Sequence, residues 1–248
     1  MSTNEELAIS LRRAAHTLTD THSIRDLDQT LAEIVAAAVN TVGGADAGGI
    51  STTTESGVSS RNPSTETVTK LDGLQSELRE GPCISAMENP PDDGAIVVVD
   101  LGGEDAARWP RFAPQAVTAG FRAMISLDLH TGRRMRSALN LYAAEPDAFD
   151  DEARLTAALF GVQAAMLLYG SEQAAHLQRA VDSRDVIGQA KGILIERFHL
   201  TGDQAFQMLV RSSQDTNMKV VDVAQWLLEE ALARNAGHDG DGWTAPAG

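Results

Sequence analysis

Residues 147–245 contain no proline, and their apolar side chains recur at intervals of three and four. Proline is the residue that most often ends a helix, and this interval is the signature of an amphipathic one. The C-terminal part of the chain is therefore constrained to helices. Asp150 and Asp151 stand at the entry, where carboxylates suit the positive end of a helix dipole. Leu155, Leu159, Val162, Ala165 and Met166 follow, and the spacing predicts a helix that runs on through Leu177 and Val181 as a stalk. Ile187, Ala190, Leu194 and Phe198 then form the stripe of a further helical segment, which turns at 199–202. Thr201 is placed to cap the next helix, with Gln204 as its reciprocal partner. Ala205, Phe206, Leu209 and Val210 give that helix its apolar side, and Ser212, Ser213 and Asn217 end it in a polar turn. Val220, Val223, Ala224, Leu227 and Leu228 make a third. Phe206 and Trp226 read as core residues.

The first 150 residues have a different grammar. Helical spacing is expected over 5–19 and over 25–42, the latter with Leu27, Leu31, Ile34, Val35 and Ala38 buried, Ser23 or Asp26 as cap and Gly43-Gly44 as stop. Segments 46–54 and 58–70, rich in Ser, Thr, Gly and Val, read as short strands, and 72–79 as a helical turn leading into Gly81-Pro82-Cys83. Residues 95–100 read as a buried strand, and 109–121 as loop and helix. The pair 123–130 and 136–143 alternates with period two and is expected to form a hairpin around Thr131-Gly132-Arg133. The sum is an α+β domain, with helices packed on one face of an antiparallel sheet.

Composition narrows the function. With Lys and Arg at 20 against Asp and Glu at 35, the net charge is −15. Residues 1–170 carry 13 basic and 24 acidic side chains, and residues 171–248 carry 7 and 11, so the last part is nearer neutrality without being basic. Any nucleic-acid role must rest on a few placed cations, because bulk charge opposes it. No run of about 20 apolar residues suggests a membrane span, and the polar, acidic start does not resemble a secretory leader. A cytoplasmic, membrane-free protein is expected. The one cysteine, Cys83, has no histidine close in sequence; it is a candidate ligand or sensor residue, with an inert core thiol as the commoner alternative. His16, His22, His130, His176, His199 and His238 form no HxxxH or HExxH pair, so no metal and no cofactor is expected. No acid–base or nucleophile set converges, and a catalytic role is not expected.

Two stretches resemble known families. Arg79-Glu80-Gly81-Pro82-Cys83 is similar to the GEGPC segment of GAF domains that precede ANTAR domains in actinobacterial regulators, with Arg79 in place of the first glycine. Ile187, Gln189 to Leu194, Ala205-Phe206, Leu209, Arg211, Ser213, Asn217, Lys219 and Asp222 to Ala224 resemble, in order and spacing, the ANTAR domain of transcription antiterminators. The resemblance implies a GAF–ANTAR transcription antitermination regulator. Its fold would be a GAF-like antiparallel sheet with flanking helices, then a long helix and a small three-helix module. The boundaries expected are an N-terminal helix at 1–20, a sensor domain at 21–170, stalk and module at 171–234 and a disordered tail at 235–248. The implied partner is RNA, bound at paired hairpin loops by a homodimer, with an unknown small molecule or protein at the sensor. Ala190, Lys191, Gly192, Arg211, Ser213, Asn217 and Lys219 are the candidate RNA-binding residues: Lys191, Arg211 and Lys219 for phosphates, Ser213 and Asn217 for bases or 2′-hydroxyls, Ala190 and Gly192 for close approach. Met218 and Val221 stand where relatives often carry arginine.

Two other readings remain open. The acidic chain could be a signalling adaptor that acts by protein–protein dimerisation. Residues 200–230 could instead be a DNA-binding helix-turn-helix.

Overall fold

A computed structural model of the chain describes residues 27–54, 57–129 and 136–238. The expected helix at 5–19, the caps Ser23 and Asp26, and the hairpin turn at 131–133 lie outside these residues. The chain divides into two compact units between Gln173 and Ala174.

The first unit is built on a five-stranded sheet of order β2-β1-β5-β4-β3, each neighbouring pair antiparallel. Its strands are β1 (Ala47–Thr54), β2 (Gly57–Arg61), β3 (Ala95–Val98), β4 (Ala123–Asp128) and β5 (Ser137–Ala143). The expected β4–β5 pairing is present, with Ile125 opposite Leu141 and Leu127 opposite Leu139. Around the sheet lie α1 (Leu27–Thr41), α2 (Glu66–Leu78), α3 (Pro82–Glu88), a 3-10 turn (Glu104–Arg108), α4 (Ala113–Thr118) and the start of α5 (Asp151–Phe198).

Helices cover both faces of the sheet, where one covered face was expected. On one side, Ile50, Ile125, Leu127, Leu139 and Leu141 pack against Leu31, Ile34, Val35 and Ala38 of α1 and against Ala153, Ala157, Phe160, Ala164 and Leu167 of α5. On the other, Ala47, Val98, Met124, Ala138 and Tyr142 meet Val68, Leu71, Cys83, Met87 and Phe112. Every residue of β5 is buried. The polar residues of the second face are there because they bond one another, a pattern that in sequence looks like a wet face.

Three local expectations are corrected. Residues 66–70 are the first turn and a half of α2, not strand; Thr65 caps it through its side chain, which accepts from Val68 N–H. β3 ends at Val98, and Val99 is exposed. On α5 the predicted stripe is the outer one: Leu155, Val162 and Met166 are each more than half exposed. The inner face is Ala153, Thr156, Ala157, Phe160, Gly161, Ala164, Leu167 and Leu168. Small residues let the helix approach the sheet closely, and a Cβ on Gly161 would sit 3.3 Å from Leu127 Cδ1. By length and composition α5 is apolar enough to cross a bilayer, contrary to the sequence expectation. Its inner face packs as a core helix does.

The second unit contains the rest of α5, α6 (Gly202–Thr216) and α7 (Val220–His238). α7 continues past Asn235, where a tail was expected to begin.

Candidate nucleic-acid interface

The three helices of the second unit close on a small core of Ala190, Leu194, Ala205, Leu209, Val223 and Ala224. The caps that set their angles were legible. Thr201 and Gln204 form the reciprocal box: Gln204 Oε1 accepts Thr201 N–H at 2.8 Å, and Thr201 Oγ1 accepts Gln204 N–H at 3.3 Å. Asn217 ends α6 in the left-handed region at φ 53°, and its N–H reaches the carbonyls of Ser213 and Gln214. Asparagine tolerates that conformation better than most residues. The Ser213 hydroxyl donates to the Met218 carbonyl at 2.6 Å and so fixes the turn.

This core is too narrow to cover everything that was expected inside it. Phe198 is exposed, Phe206 is 39% exposed and Trp226 is 60% exposed. Their neighbours Ala205 and Leu209 take the inward positions on α6, which leaves the Phe206 ring beside the core and not within it.

The candidate RNA contacts separate into distinct places. Ala190 is 0% exposed; it is a packing residue, and its predicted contact with RNA is corrected on that ground. Gly192 is exposed, and a Cβ there would meet nothing within 4 Å. Lys191 lines a groove of about 580 Å³ with Ala180, Ser183, Arg184, Ile187, Gly188 and Phe206. Its Nζ lies 5.9 Å from the centre of the Phe206 ring. Arg211 lines a different groove, of about 440 Å³, with Leu200, Asp203, Gln204, Gln207 and Met208. With about 3.6 residues per turn, Ser213 and Asn217 fall near the Phe206 side of α6, and Arg211 lies about 140° round from it. Lys219 is exposed, in the turn after Asn217, and its carbonyl accepts from Asp222 and Val223. The expected triad of phosphate contacts is thus not one cluster. Arg184, which is not among the sequence-predicted contacts, is the cation that shares a groove with Lys191. Its i, i+7 spacing from Lys191 was the signal available.

The first unit holds a second group of polar side chains, buried except for the half-buried Ser60. Asp72 on α2 accepts from Ser60 Oγ at 2.6 Å and from Tyr142 OH at 2.8 Å. Asn140 Nδ2 lies 3.4 Å from the same carboxylate and donates to Ser51 Oγ at 2.9 Å. Gln75 Nε2 donates to Tyr142 OH at 3.3 Å, and Gln75 Oε1 accepts Cys83 N–H at 3.0 Å. Burial raises the Asp72 carboxyl above its ordinary value, against the pull of these hydrogen bonds. The same burial, with the Asp72 charge, pushes the Cys83 thiol up to about 12. Cys83 is 1% exposed. A reactive thiolate needs the opposite environment, so the structure gives Cys83 the inert reading. Gly81, at φ 138°, admits the Gln75 amide: a Cβ there would come within 2.2 Å of Gln75 Oε1. Arg79 caps α2 at φ 51°, in the left-handed position that glycine fills best.

Residues 175–228 match the ANTAR domain as a sequence family. The second unit carries an ANTAR domain. The match covers the end of α5, all of α6 and the first part of α7, behind the five-stranded antiparallel sheet of the first unit. A comparison with curated proteins finds no match. Among solved structures, the chain is similar to the bacteriophytochrome RpBphP3 from the photosynthetic bacterium R. palustris, at 13% identity and TM-score 0.52, over 84% of this chain and 47% of that one. It is also similar to the phycoerythrobilin-bound GAF domain of a cyanobacterial phytochrome, at 11% identity and TM-score 0.49, over 71% of this chain and 99% of that one. A protein described as a GAF sensor from Burkholderia vietnamiensis matches at 16% identity and TM-score 0.47, over 70% of this chain and 95% of that one. At these identities the likeness concerns fold alone.

Proposed function

We propose that this GAF–ANTAR protein binds RNA hairpins through its C-terminal helices, as a homodimer, and that a small molecule or protein at the GAF-like domain biases that binding. The observation that carries the reading is the ANTAR match over 175–228. Cations near Phe206 and the turn at Asn217 support it, because RNA loops offer phosphates and unstacked bases together. Lys191, Gly192, Ser213, Asn217 and Lys219 are the proposed contacts. The dimer is supported by the outer stripe of α5. Leu155, Leu159, Val162, Met166 and Tyr169 follow the alternating four–three spacing of a coiled-coil seam, and all but Leu159 are among the most exposed apolar residues of the chain. The domain limits proposed are 21–170 for the sensor and 171–234 for stalk and module, in a cytoplasmic protein.

The bare α5 stripe and the net charge of −15 also favour a second reading, an acidic adaptor that dimerises without nucleic acid. Presenting the full chain with a pool of RNA hairpins of randomised loop sequence, alongside duplex DNA, separates the readings. Enrichment of hairpin RNA over duplex DNA is expected. Failure to retain any RNA overturns the proposal and leaves the adaptor.

A further inference from the structure

We infer that the groove lined by Arg184, Gly188, Lys191 and Phe206 seats one unstacked nucleobase of the bound RNA, with the base on the Phe206 ring and the two cations on its flanking phosphates. The inference rests on the RNA-binding reading and deepens it. It starts from a residue out of place: Phe206 is 39% exposed, although Ala205 and Leu209 on the same helix are buried. A phenylalanine partly in water forfeits some of the gain its burial would give, so the open ring offers apolar surface to a partner.

The groove itself says which partner. Among the described residues, its lining includes two cations and no carboxylate, within a chain of net charge −15. Neither Arg184 nor Lys191 forms an ion pair among the described residues. Both therefore remain free for an external anion. Lys191 Nζ stands 5.9 Å from the ring centre and near the start of α6, 3.8 Å from where a Gly202 Cβ would lie. Gly188 leaves the floor open: a Cβ there would meet nothing within 4 Å. A flat apolar ring beside an open floor, with Lys191 Nζ over the ring and Arg184 in the same lining, matches a planar base whose adjoining phosphates meet the two cations. An apolar helix from a protein partner would leave Arg184 and Lys191 uncompensated. Base-on-aromatic stacking tolerates any base, so this pocket would add affinity while the polar side chains near Asn217 read sequence.

The test uses the full chain and a hairpin selected on it from the randomised-loop pool. Loop nucleotides are replaced one at a time by an abasic residue, and affinities are measured for wild type, Phe206→Leu, Phe206→Trp and Arg184→Ala. Leucine keeps the packing and loses the π-face; tryptophan keeps both. The expected result is a loss on the order of tenfold for Phe206→Leu, near-wild-type binding for Phe206→Trp and a flatter salt dependence for Arg184→Ala. At one abasic position wild type and Phe206→Leu should bind equally, a signature that a general loss of folding would not produce. If wild type selects a hairpin but Phe206→Leu loses the same factor on every abasic RNA as on the intact one, or loses nothing, the stacking site is wrong and the RNA reading survives. If wild type selects no hairpin, the RNA reading itself has failed.

Discussion

Alanine at Lys191 and at Arg211 should have different effects on salt dependence, because the two cations line different grooves. Each phosphate contact contributes about 0.7 to 0.9 to the slope of log affinity against log salt, by counterion release. From 50 to 200 mM salt, a fourfold change, one contact is worth roughly 0.4 to 0.5 log units, or about threefold. The advantage of wild type over Lys191→Ala should therefore shrink about threefold across that range, and over the Arg184→Ala, Lys191→Ala double variant about tenfold. Arg211→Ala should run parallel to wild type. Fluorescence anisotropy with the selected hairpin, in a salt series, reads all four lines. A Lys191→Ala line parallel to wild type, or an Arg211→Ala line as flat as Lys191→Ala, would refute the assignment of the phosphate face to the Phe206 side of α6.

Tyr142→Phe removes a donor 2.8 Å from the buried Asp72 carboxylate; a loss of about 2 kcal/mol in unfolding free energy is expected, measured by urea titration against Asp72→Asn in a double-mutant cycle. No coupling between the two would contradict the network. The Cys83 thiol sits at about 12 in the folded chain against 9.0 free, so its contribution is fully present below pH 9 and is lost as pH rises toward 12, at roughly 1.4 kcal/mol per pH unit. Cys83→Ala should flatten stability between pH 9 and 10.5; an unchanged profile, or modification of native Cys83 by a thiol reagent at pH 7, would be inconsistent with its burial. Val162→Glu should make the protein monomeric by sedimentation velocity at concentrations where wild type is dimeric, since it places a charge on the α5 seam; a dimer of unchanged stability would move the interface elsewhere. Arg79→Gly should raise stability by roughly 1 kcal/mol, by relieving a left-handed residue at the end of α2; a thermal melt decides it.

Much of the fold could be read from the chain because local signals agreed with the tertiary solution. The β4–β5 alternation, the Thr201–Gln204 box and Asn217 as a left-handed cap are local physics, and the structure repeats them. The failures have a common cause. Where two apolar patterns share one helix, sequence cannot say which faces in. On α5 the larger residues Leu155, Val162 and Met166 carry the stronger apolar signal, but the sheet selects Ala153, Ala157, Gly161 and Ala164. On α6, Phe206 adjoins Ala205, and a one-residue rotation decides burial. The residues at 66–70 carry threonine and valine, which favour strands, yet the Thr65 cap turned them into helix. The interface suffered for the same reason: Arg184, Lys191 and Phe206 meet only once the helices have packed.

Gly161 has an effect that reaches beyond the sheet it touches. It works as a shim of zero thickness beneath α5: a Cβ in its place would press on the Leu127 side chain, and a bulkier group would lift or roll the helix over it. A roll of even a few degrees would re-aim the bare Leu155–Met166 flank on the far side. The proposed pairing between copies would then be detuned by a substitution that no partner ever meets.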